Sequence, residues 1–179
     1  MSSNYKIIFS GPVGSGKTTA INSISDIPTV KTEEAATDST KEKKDSTTVA
    51  LDYGAIILQD NTRIHLYGTP GQKRFDFMWD ILTVGGIGLL LLIDGSDENA
   101  LKNLQLFLDS FKNFIDKTGV VVGITKHDDD KLFELDEYRN IINQGSHVVP
   151  IFEIDARSRK DIALMVETLL YTLDPKLSL

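Results

Sequence analysis

Eight residues near the start of the chain, Gly11-Pro12-Val13-Gly14-Ser15-Gly16-Lys17-Thr18, match the pattern G-x-x-x-x-G-K-[ST]. The chemistry that needs this spacing is phosphate binding. Small residues let successive backbone N–H groups turn inward around phosphate oxygens, and the N-terminus of a following helix adds partial positive charge. Lys17 would reach the β- and γ-phosphates, the Thr18 hydroxyl would sit on Mg²⁺, and Thr19 continues the wall of the site. The bland reading is a glycine-rich strand-to-helix turn with a surface lysine. A chance match in a chain this long arises at roughly one per cent or less, so the pattern implies a nucleoside triphosphate ligand.

Such a loop must be held between a strand and a helix, and the flanks supply both. Residues 5–10, with Ile7, Ile8 and Phe9, read as a strand, and residues 17–26 as a helix with Ala20, Ile21 and Ile24 at helical spacing. Residues 31–48 are almost wholly Thr, Ser, Asp, Glu and Lys and have nothing to bury, so a mobile or ligand-ordered segment is expected. Two strands joined by a turn follow, at 49–58 and 62–67. A helix at 73–83, a buried strand at 87–93 and one long helix to about Lys117 come next. The remainder reads as a strand at 119–124, a short helix at 132–143, a strand at 148–154 and a closing helix at 159–173. This alternation predicts one α/β domain over 1–179, a mostly parallel six-stranded sheet with helices on both faces and a ligand at the strands' carboxyl ends.

Composition narrows the class. With 179 residues, 41% apolar content and 25% charged content, the chain has the makings of a full core. A net charge of −7 argues against nucleic acid as partner. The absence of cysteine excludes disulfides, thiolate metal sites, prenylation and palmitoylation. No signal peptide, myristoylation glycine or membrane-length apolar run is visible, which sets the expectation of a cytoplasmic protein without a covalent lipid anchor or span. His65, His127 and His147 show no ligand spacing.

Four further stretches fall after strands on the same predicted edge: Thr47-Thr48, Gly68-Thr69-Pro70-Gly71-Gln72, Thr125-Lys126-His127-Asp128 and Asp155-Ala156-Arg157. With the phosphate loop, they make the chain resemble the Ras-like small GTPases over essentially its full length. That resemblance implies GTP and GDP as ligands, Mg²⁺ as cofactor and a slow hydrolysis of GTP. It assigns Thr48, preferred over Thr47, to Mg²⁺ and the γ-phosphate, Gly71 to the γ-phosphate, and Gln72 to the attacking water. Asp128 would accept hydrogen bonds from guanine N1–H and the 2-amino group, which adenine lacks. Thr125 belongs to the same stretch, the Lys126 stem would cover the base and hold the phosphate loop, and the Ala156 N–H would meet the guanine O6 between Asp155 and Arg157.

The family's D-x-x-G aspartate is absent, because Gly68 stands in its place. Asp52 is either its substitute beside the metal or a solvent-facing strand residue. The same departure marks the bacterial MglA-type polarity GTPases and the related conservon-operon GTPases, whose run resembles Gly68 to Asp80 here. The resemblance implies a GTPase-activating or effector partner, of roadblock type, in bacterial signalling, polarity or motility. Residues 75–79 carry too many bulky apolar side chains for one helix face, so an exposed patch beside Gln72 is expected. Arg74 is the one arginine near Gln72, Thr47 stands where relatives keep an arginine, and Val13 replaces a glycine of Ras proteins. Arg74 could serve as an internal arginine finger, and an arginine supplied by a protein partner is the preferred expectation. Two alternatives stand: a pseudo-GTPase scaffold, favoured by Gly68 and the missing arginine, and a P-loop ATPase or kinase, disfavoured by the 125–128 stretch.

Overall fold

The computed structural model describes residues 4–35, 48–72, 76–126, 132–145 and 148–173, with the backbone alone at 32–35 and 48–50. In chain order the elements are β1 (Asn4–Ser10), α1 (Lys17–Ile24), β2 (Val30–Ala35), β3 (Thr48–Ile57), β4 (Arg63–Gly68) and α2 (Phe77–Thr83). They continue with β5 (Gly88–Asp94), α3 (Ala100–Ser110), α4 (Lys112–Ile115), β6 (Val120–Thr125), α5 (Leu135–Ile142), β7 (Ile151–Glu153) and α6 (Arg159–Leu173).

Successive strand residues point to opposite faces, and β5 shows why its sequence is a run of leucine. Leu89 and Leu91 join one core with Ile8, Leu104, Phe107 and Tyr138, while Leu90 and Leu92 join another with Phe9, Ile21, Met165 and Leu169. A strand covered on both sides has no place for a polar residue until its end, where Asp94 emerges. The helices α1 and α6 lie over one face, and α3, α4 and α5 over the other.

The sheet order is β2-β3-β4-β1-β5-β6-β7. β4, β1, β5, β6 and β7 are parallel neighbours, whereas β3 runs antiparallel to both β2 and β4. The expectation of six strands is therefore corrected to seven. The additional strand is β2, from the start of the stretch read as unstructured. An edge strand pairs on one side only and tolerates polar composition, so no apolar alternation announced it. The β3–β4 turn is set by Asp60, whose carboxylate accepts from the Thr62 N–H and hydroxyl, and by Asn61 at φ +63°.

Two other boundaries differ from expectation. The long helix is broken at Phe111, which leaves helical geometry (φ −96°, ψ 8°) while its ring stacks on Trp79 at 5.0 Å. The last strand begins only at Ile151, after Pro150, which has no N–H to give the ladder. Among the described residues, no helix is long and apolar enough to cross a membrane.

Candidate functional site

The phosphate loop leaves β1 at Ser10 and enters α1 at Lys17. Its first glycine is obligatory: Gly11 has φ +142°, and a Cβ there would lie 2.0 Å from the Leu92 carbonyl oxygen. Lys17 is buried and folds back under the loop, donating from Nζ to the carbonyls of Gly11 (2.7 Å) and Pro12 (2.6 Å). Burial lowers its pKa to about 8, against a smaller opposite pull from the Asp52 carboxylate. Ser15 is buried, while Val13, Gly14 and Thr19 are exposed on the loop and the first turn of α1.

Thr18 meets Asp52. The threonine Oγ1 donates to Asp52 Oδ2 at 2.5 Å, which joins α1 to β3. Asp52 pairs directly across the sheet with Gly68. A Cβ on Gly68 would come within 3.1 Å of Asp52 Cβ and 3.4 Å of its Oδ2. The carboxylate thus leans into the space that a side chain at position 68 would fill. Asp52 is half-buried beside Thr18.

These oxygens suit a hard cation. A hydroxyl and a carboxylate at 2.5 Å match the oxygen preference of Mg²⁺, which keeps several waters and shares itself with substrate phosphates. Among the described residues no group of three or more His, Cys, Asp or Glu could enclose a metal alone. Thr18 and Asp52 would hold the ion in a site completed by the ligand's own oxygens. Thr48, the first residue of β3, stands four positions before Asp52.

Gly71 lies on the phosphate loop. A Cβ there would sit 2.5 Å from the Val13 nitrogen, 2.7 Å from the Pro12 carbonyl carbon and 2.9 Å from Lys17 Nζ. Gln72 follows and is exposed. Three residues that the sequence reading gave no role hold this segment. Thr69 donates its N–H to the Phe9 carbonyl (2.8 Å) and shares a buried hydroxyl hydrogen bond with Ser10 (2.7 Å). Trp79 donates from Nε1 to the Pro70 carbonyl at 3.1 Å. Small hydroxyl pairs and a single ring N–H carry no spacing signature, so only the fold reveals them.

At the other end, Thr125 Oγ1 lies 2.9 Å from the Ser15 carbonyl and 3.2 Å from that of Ile93, in bonding range of both. It is Thr125 that ties the phosphate loop to β6. The Lys126 amine, assigned that task by resemblance, instead bonds Asp94 Oδ2 at 2.5 Å, and its backbone has φ +51°. Asp94 is held low by this contact and by Ser96, against the opposing effect of its own burial. Ala156 packs on Gly16, where an added Cβ would be 3.1 Å from the Ala156 Cβ. The Arg157 guanidinium bonds both Asp155 oxygens. Asp128, His127, Thr47 and Arg74 lie outside the described residues.

The described arginines are engaged elsewhere. Arg139 pairs with Asp136, Arg157 with Asp155 and Arg159 with Asp26, and Arg63 opens β4 at the end away from Gly68. On α2, Trp79 and Leu82 turn inward, while Phe77 (59%) and Ile81 (65%) are exposed, as is Val84 (73%) just beyond its end.

Comparison with known proteins fits this geometry. A family model described as "Conserved hypothetical ATP binding protein" matches residues 28–169, well over half of the chain. The chain belongs to that family. The match begins beyond the phosphate loop and α1, so the G-x-x-x-x-G-K-T loop supports nucleotide binding independently. An uncharacterized protein of Methanocaldococcus jannaschii is 39% identical over 79 residues, covering 41% of this chain and 51% of that protein. The Ras-related protein Rab-27A of Sus scrofa is 26% identical over 121 residues, covering 65% of this chain and 54% of that protein. The chain thus spans about half the length of the relatives it matches. Together, the family, the loop and the mixed sheet describe a nucleotide-binding P-loop protein.

Proposed function

We propose that the chain is a guanine-nucleotide switch of Ras-like type, close to the bacterial MglA-type and conservon-operon GTPases, that hydrolyses GTP slowly to GDP. The observation that carries this reading is the meeting of Gly71, Lys17 and the Thr18–Asp52 pair around one loop. Water would attack the γ-phosphorus while the bond to the β–γ bridging oxygen breaks, giving GDP, phosphate and a proton. Lys17 would neutralise phosphate oxygens, the Gly71 N–H would hold the γ-phosphoryl group, and Gln72 would orient the water. Thr18 and Asp52 would hold Mg²⁺, which would supply charge neutralisation to the phosphates. Thr48 would close over the triphosphate, and Asp128 would select guanine.

The transition-state charge needs an arginine, worth about 10³ to 10⁵ in rate, and we assign it to a docking partner in preference to Arg74. The proposed turnover is therefore slow until a partner docks, and the exposed Phe77–Ile81–Val84 stripe is the surface offered to it. A roadblock-type regulator in a cytoplasmic signalling, polarity or motility system is the partner class proposed. The family's description favours a second reading, an adenine nucleotide site.

Competition decides between the two. GTP and ATP are each titrated, with magnesium, against a bound fluorescent GTP analogue. A site built around Asp128 leaves ATP weaker by about two orders of magnitude or more. Equal displacement by both purines would sink the guanine reading.

A further inference from the structure

We infer that Trp79 and Thr69 are positioning residues that hold Gly71 against the phosphate loop before any nucleotide arrives. This rests on the proposed triphosphate site and extends it to residues outside that site. The segment between β4 and Gln72 is fixed at three successive positions. Thr69 is anchored twice, by its N–H to Phe9 and by its hydroxyl to Ser10, the last residue before the loop. Both hydroxyls are buried, Ser10 at 0% and Thr69 at 3% exposure, so neither has water as a substitute partner.

Pro70 is buried, and its carbonyl takes the Trp79 indole N–H. That indole is itself immobilised, 5% exposed and packed on the rings of Phe107 and Phe111 at 5.0 Å each. Gly71 is the next residue, packed so closely that an added Cβ would lie 2.5 Å from the Val13 nitrogen and 2.9 Å from Lys17 Nζ. The clamp therefore reaches from the second core cluster, through one hydrogen bond, to the atom that would meet the terminal phosphate. A segment held this way incurs little ordering entropy on binding a triphosphate. A diphosphate, which lacks the γ-phosphoryl group, gains nothing from the clamp.

The test uses the full chain and two fluorescent nucleotides, a non-hydrolysable GTP analogue and GDP, each with Mg²⁺. Trp79→Phe keeps the ring and removes the donor. It should weaken the triphosphate analogue by about fivefold or more relative to GDP, the size of one lost buried hydrogen bond. Thr69→Val should shift the same ratio, and Thr69→Ser, which retains the hydroxyl, should restore it. Trp79 is also the chain's one tryptophan. In the unaltered protein its emission should stay where it is when either nucleotide is added, because its surroundings are set beforehand. Equal loss of both nucleotides in the variants, an unchanged ratio, or a large emission change with the triphosphate would overturn the inference. An unaltered protein that binds neither nucleotide would instead overturn the proposed function on which it rests.

Discussion

At the scale of single residues, the pairing of Asp52 with Gly68 is a substitution carried out across two strands. Thr18 needs an acceptor beside it, and the carboxylate arrives from β3 because β4 has only a glycine there. Asp52→Ala is expected to weaken Mg²⁺-dependent retention of nucleotide by about 10- to 100-fold, the range for supporting groups of metal sites. The exchanged variant, Asp52→Gly with Gly68→Asp, frees the 3.1 Å contact and returns a carboxylate to the same space, so most of the retention should come back. Magnesium titration of the nucleotide off-rate reads both, and a double variant no better than Asp52→Ala would argue that geometry rather than charge is at stake. Lys17 gives a second prediction. Below about pH 8 its ammonium is charged in both folded and unfolded chains, and the cost of burying it is fully present. From there toward 10.5 the folded chain sheds the proton first, so the stability of the nucleotide-free protein rises through that window. Polyphosphate binding needs the charge, so affinity should fall above pH 8, by at most about tenfold per unit, with proton uptake on binding. A flat affinity profile from about pH 7 to 9.5 would remove Lys17 from the phosphate contact.

At the scale of elements, α2 divides its side chains sharply. Trp79 and Leu82 anchor it, Phe77 and Ile81, four residues apart, face solvent, and Val84 just past its end is exposed as well. Replacing Phe77 and Ile81 by serine should change stability by no more than about 0.5 kcal/mol each and leave nucleotide binding intact. Capture of the partner should be lost. A fall in Tm beyond about 4 °C in either single variant would mean that the stripe is part of the core. The sequence anticipated this surplus of apolar residues but not which side each would take. Spacing alone gives a helix its faces, and only the position of the Phe107 and Phe111 rings decides which face is inside. Phe111 shows the same limit: its period fitted one long helix, yet its backbone departs from helical geometry where its ring meets Trp79.

For the whole molecule, the strands around β1 and β5 were readable because burial on both faces leaves nothing but apolar residues, and the phosphate loop because its geometry admits few alternatives. β2 was not, since a border strand is held by backbone pairing that composition does not record. The joining of Ser10 to Thr69 and of Thr125 to Ser15 was hidden for a different reason. Both are contacts between residues 59 and 110 positions apart in the chain, of a kind any hydroxyl can make. The origin of the Thr18 acceptor carries one more consequence. Had the carboxylate come from β4, it would sit on an inner strand, between β3 and the parallel β1 that carries the loop. It comes instead from β3, one strand in from the rim, whose outer neighbour is the six-residue β2. Loosening that rim is expected to draw the acid away from its threonine before it reaches β1 and its loop, so a cation held by the pair could leave with the cradle intact.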